Sequence, residues 1–213
     1  ELRTPITIIR GHLELMGDDP QEQQETIELV MDELDRMNRL VNDLVLLAKS
    51  ENPDFLELEA VDIASFTEEL FVKIKALAKR NWRLDCLAKG TIAVDRQRLT
   101  QAIVNLAQNA TQHTTENNLI SVGSAIEGQE VHFWIRDNGE GIAESDQKRI
   151  FERFGRVTSS RRRSEGAGLG LAIVKAIVEA HRGFVRLDSH LGMGAKFTIV
   201  IPLETNKKEE NRG

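Results

Sequence analysis

The sequence predicts an α+β protein: a helical hairpin that pairs with a second copy as a dimeric four-helix bundle, followed by an α/β sandwich. Apolar residues recur at helical spacing over residues 1–50. A polar break containing a proline follows at residues 51–54, and strand-like alternation begins beyond it. We therefore expect a hairpin over residues 1–52, an α/β domain over 53–205 and a disordered tail over 206–213.

The first domain reads as two helices with one shared apolar seam. In residues 2–16 the seam has alternating spacings of four and three, formed by Leu2, Ile6, Ile9, Leu13 and Met16. Residues 17–20 interrupt it, and over residues 21–50 it resumes in Ile27, Val30, Leu34, Met37, Val41 and Leu44. Two such helices alone leave their seam half covered. A second copy of the chain would complete a four-helix bundle, which predicts a homodimer.

The second domain reads as helices interleaved with mainly antiparallel strands. Strands are predicted over residues 55–59, 82–87, 119–126, 131–136, 184–189 and 196–202, and helices over 62–79, 95–114 and 169–181. This order predicts a sheet with helices packed on one face.

Composition narrows the possible partners. The chain has 213 residues, of which 40% are hydrophobic and 29% charged, as expected for two soluble domains. A net charge of −6 without a long basic stripe argues against nucleic acid and an anionic membrane as partners. No apolar run approaches the roughly 20 residues that cross a bilayer, and the single cysteine, Cys86, fits a reducing compartment. We expect a cytoplasmic location, whether or not the parent protein is anchored in the inner membrane.

Two asparagines on one predicted helix are candidate ligands. Asn105 and Asn109 are four residues apart, so both border the apolar stripe and can project into one cleft. An amide oxygen there could bind Mg²⁺, whose other ligands are usually waters and phosphate oxygens. Taken alone, the pair is more typical of the solvated flank of a helix.

Two glycine-rich segments could approach a flat base and phosphates. Asp137, Gly139 and Gly141 follow a predicted strand, where a carboxylate can accept a hydrogen bond from an exocyclic amine. Residues 166–171 open an apolar helix whose N-terminal amides suit phosphate. Each segment alone is weak: the first is an ordinary turn motif, and the second matches neither the dinucleotide fingerprint nor the P-loop.

Residues 143–165 form a long connection between these segments. They include an amphipathic piece with Ile150, Phe151 and Phe154, and the run Arg161-Arg162-Arg163. Loops of this length are usually lids or disordered, so the arginines could clamp ATP or simply be solvated.

The order of these motifs closely resembles the histidine-kinase branch of the GHKL ATPases. The asparagine pair, Asp-x-Gly-x-Gly, Phe-x-x-Phe and Gly-x-Gly-x-Gly are similar to that branch's N, G1, F and G2 boxes. Residues 192–194, Gly-Met-Gly, resemble its last glycine box. Residues 1–5, Glu-Leu-Arg-Thr-Pro, are similar to the family motif that follows the phosphate-accepting histidine, expected immediately before Glu1.

The resemblance implies a role for each matching residue. Asn109 would bind Mg²⁺, Asn105 would line the phosphate cleft and Asp137 would bind the adenine amine. Gly139 and Gly141 would admit the base. The remaining residues implied at the ATP site are Gln112, His113, Ile142, Phe151, Arg153, Phe154, Gly166, Gly168, Leu169, Gly170 and Leu171.

The resemblance also implies roles for two residues near the acceptor histidine, and the sequence departs from the family pattern at one place. Glu1 would act as base or orienter in phosphorylation, and Thr4 matches the position associated with hydrolysis of the phosphorylated partner. Family members often carry Lys or Arg, then Tyr, where Gln112 and His113 stand here. That leaves Arg153 or a lid arginine to supply a cation to the phosphates.

The function implied is an autophosphorylating protein histidine kinase of a two-component system. The γ-phosphoryl of Mg-ATP would pass to a histidine and then to an aspartate of a response-regulator receiver domain. Two alternatives stay open: a hydrolytic GHKL ATPase, in which a glutamate replaces Asn105, and a non-catalytic module that dimerises and senses nucleotide.

Overall fold

The structure, a computed structural model, describes residues 3–17, 19–155 and 168–203. It divides into two compact units, Glu1–Ala48 and Lys49–Gly213. Each unit is described by itself below.

The first unit is a pair of helices. Helix α1 spans Arg3–Glu14 and helix α2 spans Pro20–Lys49. Near the C-terminal end of α2 the side chains of Leu40, Leu46 and Leu47 are buried. Much of the rest of the predicted seam is exposed in the single chain, at Ile6, Leu13, Met16, Ile27, Leu34 and Val41. Neither helix is long and apolar enough to cross a membrane, nor is any other helix of the described residues.

The second unit contains two sheets and four helices in its described residues. The strands are β1 Glu59–Asp62, β2 Asn81–Leu84, β3 Thr91–Val94, β4 Leu119–Glu127, β5 Glu130–Asp137, β6 Phe184–Ser189 and β7 Ala195–Pro202. The helices are α3 Ile63–Lys75, α4 Arg96–Gln112, α5 Glu144–Gln147 and α6 Gly170–Ala180. The main sheet has the order β2-β4-β5-β7-β6, and β1 pairs only with β3.

The core lies between the helices and one face of the main sheet. Strands β4, β5, β7 and β6 are antiparallel neighbours, and β2 adds to β4 in parallel. Along β5, Val131, Phe133 and Ile135 alternate inward and are almost wholly buried. Phe66 of α3 meets Phe133 edge to face, with ring centroids 5.9 Å apart. The predicted α/β sandwich is therefore confirmed.

Three details of the predicted elements are wrong. Residues 53–55 form a 3₁₀ turn, and the strand begins only at Glu59, because the Asn52 side chain accepts from the Asp54 amide and caps that turn. Strand β3 was not predicted, since it has only four residues and its partner lies about thirty positions earlier. Helix α3 ends at Lys75 rather than near residue 79.

Candidate functional site

The site is built where one end of β5 meets α4 and the loop between β6 and β7. Asp137, the last residue of β5, is only 5% exposed. Its Oδ1 accepts a hydrogen bond of 2.8 Å from the Gly139 amide, and the Ala195 amide also donates to the carboxylate. Burial raises the pKa of Asp137, and these two amides and His113 offset only part of that effect. A buried carboxylate therefore faces this end of the sheet.

Three glycines allow backbone segments to pack more closely here than a side chain permits. A Cβ on Gly139 would overlap the His113 carbonyl oxygen at the end of α4, and one on Gly141 would overlap the His190 carbonyl oxygen. A Cβ on Gly194 would lie 2.7 Å from the Cα of Asn138. The segment 137–141 is thus enclosed by α4 on one side and by residues 190–194 on the other.

Two polar side chains that the sequence did not single out lock these loops together. The Ser189 hydroxyl donates to the Gly194 carbonyl at 2.8 Å and accepts from the Ile142 amide at 2.9 Å. The Gln147 amide donates to the Ser189 carbonyl at 3.0 Å and the Ile142 carbonyl at 3.3 Å. Ser189 ends a predicted strand and Gln147 lies in the long connection, and neither belongs to a glycine motif, so nothing local in the sequence signals this role.

The predicted asparagine pair lies beside the start of α6. The Nδ2 of Asn105 donates to the Gly170 carbonyl at 3.4 Å. An added Cβ on Gly170 would meet only the Asn105 Cβ, at an ordinary contact distance of 4.0 Å, so the two residues are neighbours without being tightly packed. Asn109 lies one turn further along α4 and is half-buried. The two amides therefore share the flank of α4 that leads from α6 toward Gly139.

The N-terminus of α6 can receive an anion. Leu169 occupies the N-cap position, and its apolar side chain makes no capping hydrogen bond to the first amides of the helix. Unpaired amides at a helix N-terminus carry partial positive charge and suit phosphate. Gly168 adopts φ 72°, and its carbonyl accepts from the Phe154 amide at 3.0 Å. Phe154 itself has φ 64°, so the backbone adopts the left-handed conformation on both sides of this hydrogen bond.

Four further side chains that the resemblance implies at the ATP site make different contacts. His113 Nδ1 lies 3.1 Å from an oxygen of Glu140, whereas Gln112 is exposed. Phe151 packs on Phe197 with ring centroids 6.1 Å apart, so it belongs partly to the core. Arg153 has its Nη2 3.9 Å from Glu51.

The other predicted site residues fall into three groups. Ile142 and Leu171 are half-buried beside the loops described above, and Leu169 is 1% exposed, so its side chain belongs to the core. Thr4 is exposed on α1, in the other unit. Outside the described residues lie Glu1, Gly166 and the lid arginines Arg161, Arg162 and Arg163.

These residues fit a nucleotide with phosphates and a hard cation. A buried carboxylate beside glycines without Cβ suits an adenine amine, and the uncapped start of α6 suits phosphate. In the described ranges there is no cluster of three or more His, Cys, Asp or Glu side chains that could hold a metal on their own. The expected Mg²⁺ would instead combine an amide oxygen of Asn109 with phosphate oxygens and waters, the arrangement that this ion commonly adopts.

Comparison with known proteins places the two units in described families. Residues 94–205 match the model of the histidine kinase-, DNA gyrase B- and HSP90-like ATPases, and residues 1–53 match that of the His Kinase A phospho-acceptor domain. A sensor protein SrrB of Staphylococcus aureus is 33% identical over 211 residues, covering 95% of this chain and 36% of SrrB. The chain thus spans about a third of the length of the curated relatives it matches.

Solved structures of histidine kinases, among them two complexes, cover both units of the chain. A complex of the histidine kinase ThkA with the response regulator protein TrrA superposes with a TM-score of 0.75 at 26% identity, covering 94% of this chain and 58% of the matched one. Full-length ShkA in complex with AMPPNP gives a TM-score of 0.72 at 28% identity, covering 94% and 46% respectively.

Proposed function

Since the chain belongs to the sensor histidine kinases, we propose that it is the ATP-dependent core of a two-component signalling protein. In this proposal it binds Mg-ATP, and the γ-phosphoryl passes to a histidine of the helical unit. An aspartate of a response regulator then receives the phosphoryl group.

One observation carries the proposal: four sequence segments from distant parts of the chain lie along helix α4 and the adjoining end of β5. The turn after β5 contacts the end of α4 and the loop before β7 through Gly139, Gly141 and Gly194, and the start of α6 contacts α4 at Asn105. Nucleotides bind where few side chains obstruct the backbone and where a helix N-terminus faces the phosphates. This arrangement supports an ATP site in these residues.

The proposed residues divide the work of binding. Asp137 accepts a hydrogen bond from the adenine amine, and Gly139 and Gly141 let the turn pack against the His113 and His190 carbonyls, which fixes the backbone beside the ring. Asn105 lines the phosphate cleft, and the amides at the start of α6 bind phosphate oxygens. Asn109 would hold Mg²⁺, which supplies neutralisation of phosphate charge when bound. Phosphoryl transfer then depends mainly on positioning and charge stabilisation rather than on a protein nucleophile in this unit.

The helical unit supports two further parts of the proposal. Its exposed apolar side chains, including Ile27, Leu34 and Val41, would be covered by a second copy of the chain in a four-helix bundle. The ThkA structure contains a response regulator protein, which supports a receiver domain as the phosphate-accepting partner. Glu1 and Thr4 would act in transfer and in dephosphorylation.

The test is to extend the chain by the preceding residues through a histidine and to incubate it with radiolabelled Mg-ATP. A kinase core gives acid-labile, base-stable phosphate, because phosphohistidine has that chemistry. A hydrolytic ATPase would release phosphate without retaining label, and a nucleotide-sensing module would do neither. An extended chain that binds ATP yet never carries label would exclude the kinase proposal.

A matched set of variants tests the site itself. Asn109→Ala should remove the Mg-dependent part of ATP affinity, whereas Gln108→Ala, an exposed neighbour on α4, should leave it intact. Asp137→Asn should lower the preference for ATP over GTP, because the amide donates where the carboxylate only accepts. Unchanged calorimetric titrations for both Asn109→Ala and Asp137→Asn would contradict the residue assignment.

A further inference from the structure

The C-terminal end of α4 depends on an arginine that lies about thirty residues before it. A helix leaves its last carbonyls without intrahelical partners. Helix α4 has no basic residue in its last turn, and its C-cap, His113, has φ −103° rather than the left-handed conformation of a glycine cap. The missing donors must therefore come from elsewhere.

Arg80, in the turn before β2, supplies those donors. Its Nη2 donates to the Thr111 carbonyl at 3.1 Å and to the Thr114 carbonyl at 3.2 Å, and its Nε donates to the Thr114 hydroxyl at 3.1 Å. The Thr114 hydroxyl in turn donates to the Ala110 carbonyl at 2.7 Å. A fourth bond, from Nη1 to the Lys79 carbonyl at 2.8 Å, holds the guanidinium in place. Its positive charge also lies at the negative end of the helix dipole.

The end of α4 held by Arg80 is also one wall of the nucleotide site. A Cβ on Gly139 would overlap the His113 carbonyl and would lie 3.2 Å from the Thr114 methyl group and 3.0 Å from Asp137 Oδ1. Movement of this turn by a few tenths of an ångström therefore changes the space next to Asp137. Close packing of this kind transmits small displacements instead of absorbing them.

We infer that Arg80 is a positioning residue for adenine recognition: it fixes the last turn of α4 against Gly139 and so sets the geometry around Asp137. This inference rests on the proposed function. The turn that Arg80 holds packs on Gly139 next to Asp137, and for this reason we expect its effect at the base.

The test compares Arg80→Ala with Arg83→Ala in the whole chain. Arg83 is the matched control, because it lies three residues further along, is exposed, and pairs with Asp85 at 2.6 Å rather than with α4. Calorimetry with MgCl₂ gives the dissociation constants of ATP and GTP. We expect Arg80→Ala to weaken ATP binding about tenfold, or about 1.4 kcal/mol, while GTP binding changes little. The ATP-to-GTP preference should then fall by about the same factor, and Arg83→Ala should retain it.

A second variant separates positioning from general stability. Thr114→Val keeps the shape but removes the hydroxyl that Arg80 contacts, so it should lower the same preference by a smaller factor, about threefold. Combined with Arg80→Ala it should add little, because both act through one contact. If Arg80→Ala does not fold, Thr114→Val decides alone.

Three outcomes would overturn the inference: an unchanged ATP-to-GTP preference in Arg80→Ala, an unchanged preference in Thr114→Val, or an equal loss in Arg83→Ala. A fall in melting temperature with the preference intact would show that Arg80 only stabilises the fold. If the unaltered chain binds no ATP, the proposed function fails instead.

Discussion

Substitution of one glycine in the loop before β7 should weaken ATP binding, while substitution of its neighbour should not. Gly192 and Gly194 have nearly the same backbone conformation, with φ of 78° and 81°. Alanine at either position therefore carries a similar conformational cost, about 1 kcal/mol. Only Gly194 is enclosed: its Cβ would lie 2.7 Å from Asn138 Cα and 2.8 Å from the Asp137 carbonyl carbon, whereas a Cβ on Gly192 meets nothing within 4 Å.

The expected size of the effect follows from these distances. To restore ordinary contact at 3.4 Å or more, Asn138 Cα must move by about 0.7 Å from its 2.7 Å separation, and the Asp137 carbonyl oxygen, which lies nearer still, must move further. A hydrogen bond to a charged group contributes about 1.5–3 kcal/mol, and tenfold in affinity is about 1.4 kcal/mol, so Gly194→Ala, which displaces Asp137, should weaken ATP binding about tenfold or more. Gly192→Ala should bind within about twofold of the unaltered chain and should melt about 2–4 °C lower.

Isothermal titration with Mg-ATP, with circular dichroism as a check of folding, measures the difference between the two variants. Equal ATP affinities for folded Gly192→Ala and Gly194→Ala would refute the reasoning, because the variants share the backbone strain and differ only in the space available. The same result would remove Asp137 from the site, since it is the residue that Gly194→Ala displaces.

Further predictions concern folding, dimerisation and nucleotide selectivity. Burial lowers the pKa of His181, although its hydrogen bond to the Ile177 carbonyl and the charge of Asp95 act to raise it. The neutral imidazole therefore stabilises the fold above about pH 6.5, and this contribution is lost as the pH falls through the folded-state pKa. The variant His181→Gln keeps an acceptor for the Asp95 amide but cannot titrate. Between pH 7.5 and 5.5 its free energy of unfolding in urea should therefore fall by less than that of the unaltered chain. Equal losses in the two proteins would contradict this prediction. Val41→Glu places a charge on the exposed apolar seam of α2, so in sedimentation velocity the chain should shift from dimer toward monomer. The control variant Glu28→Gln should remain dimeric. A dimeric Val41→Glu would argue against this seam as the interface. Burial raises the pKa of Asp137, and Asp137→Asn removes this buried charge. The variant should therefore melt at no lower temperature than the unaltered chain, although it discriminates less between ATP and GTP. A large fall in melting temperature would mean that the carboxylate is needed for folding.

The sequence could predict the residues that converge but not the contacts that hold them. Asp137, Gly139 and Gly141 stood out because strand alternation ended at a glycine-rich turn, whereas residues 192–194 were implied only by their resemblance to the family's last glycine box. Their contact joins positions more than fifty residues apart, and only the sheet order, with β5 beside β7, brings the two segments together.

Local side-chain hydrogen bonds explain several features that periodicity missed. Asn52 caps a 3₁₀ turn in place of the expected strand. Asp95 caps α4 through the Arg98 amide and also accepts from the Glu57 amide, which holds the chain before β1. Arg80 donates to the carbonyls at the other end of α4 from a turn that carries no motif in the sequence. Hydrophobic spacing does not predict side-chain hydrogen bonds to the backbone, whether the partner is nearby, as for Asn52, or distant in sequence, as for Arg80.

A crystal structure of the chain with AMPPNP and Mg²⁺ would show whether nucleotide and metal bind at these residues. We expect the adenine amine about 2.9 Å from the Asp137 carboxylate, Mg²⁺ about 2.1 Å from Asn109 Oδ1, and phosphate oxygens at the amides that begin α6. Nucleotide bound elsewhere on the chain, or bound here without contact to Asp137 and Asn109, would contradict this expectation.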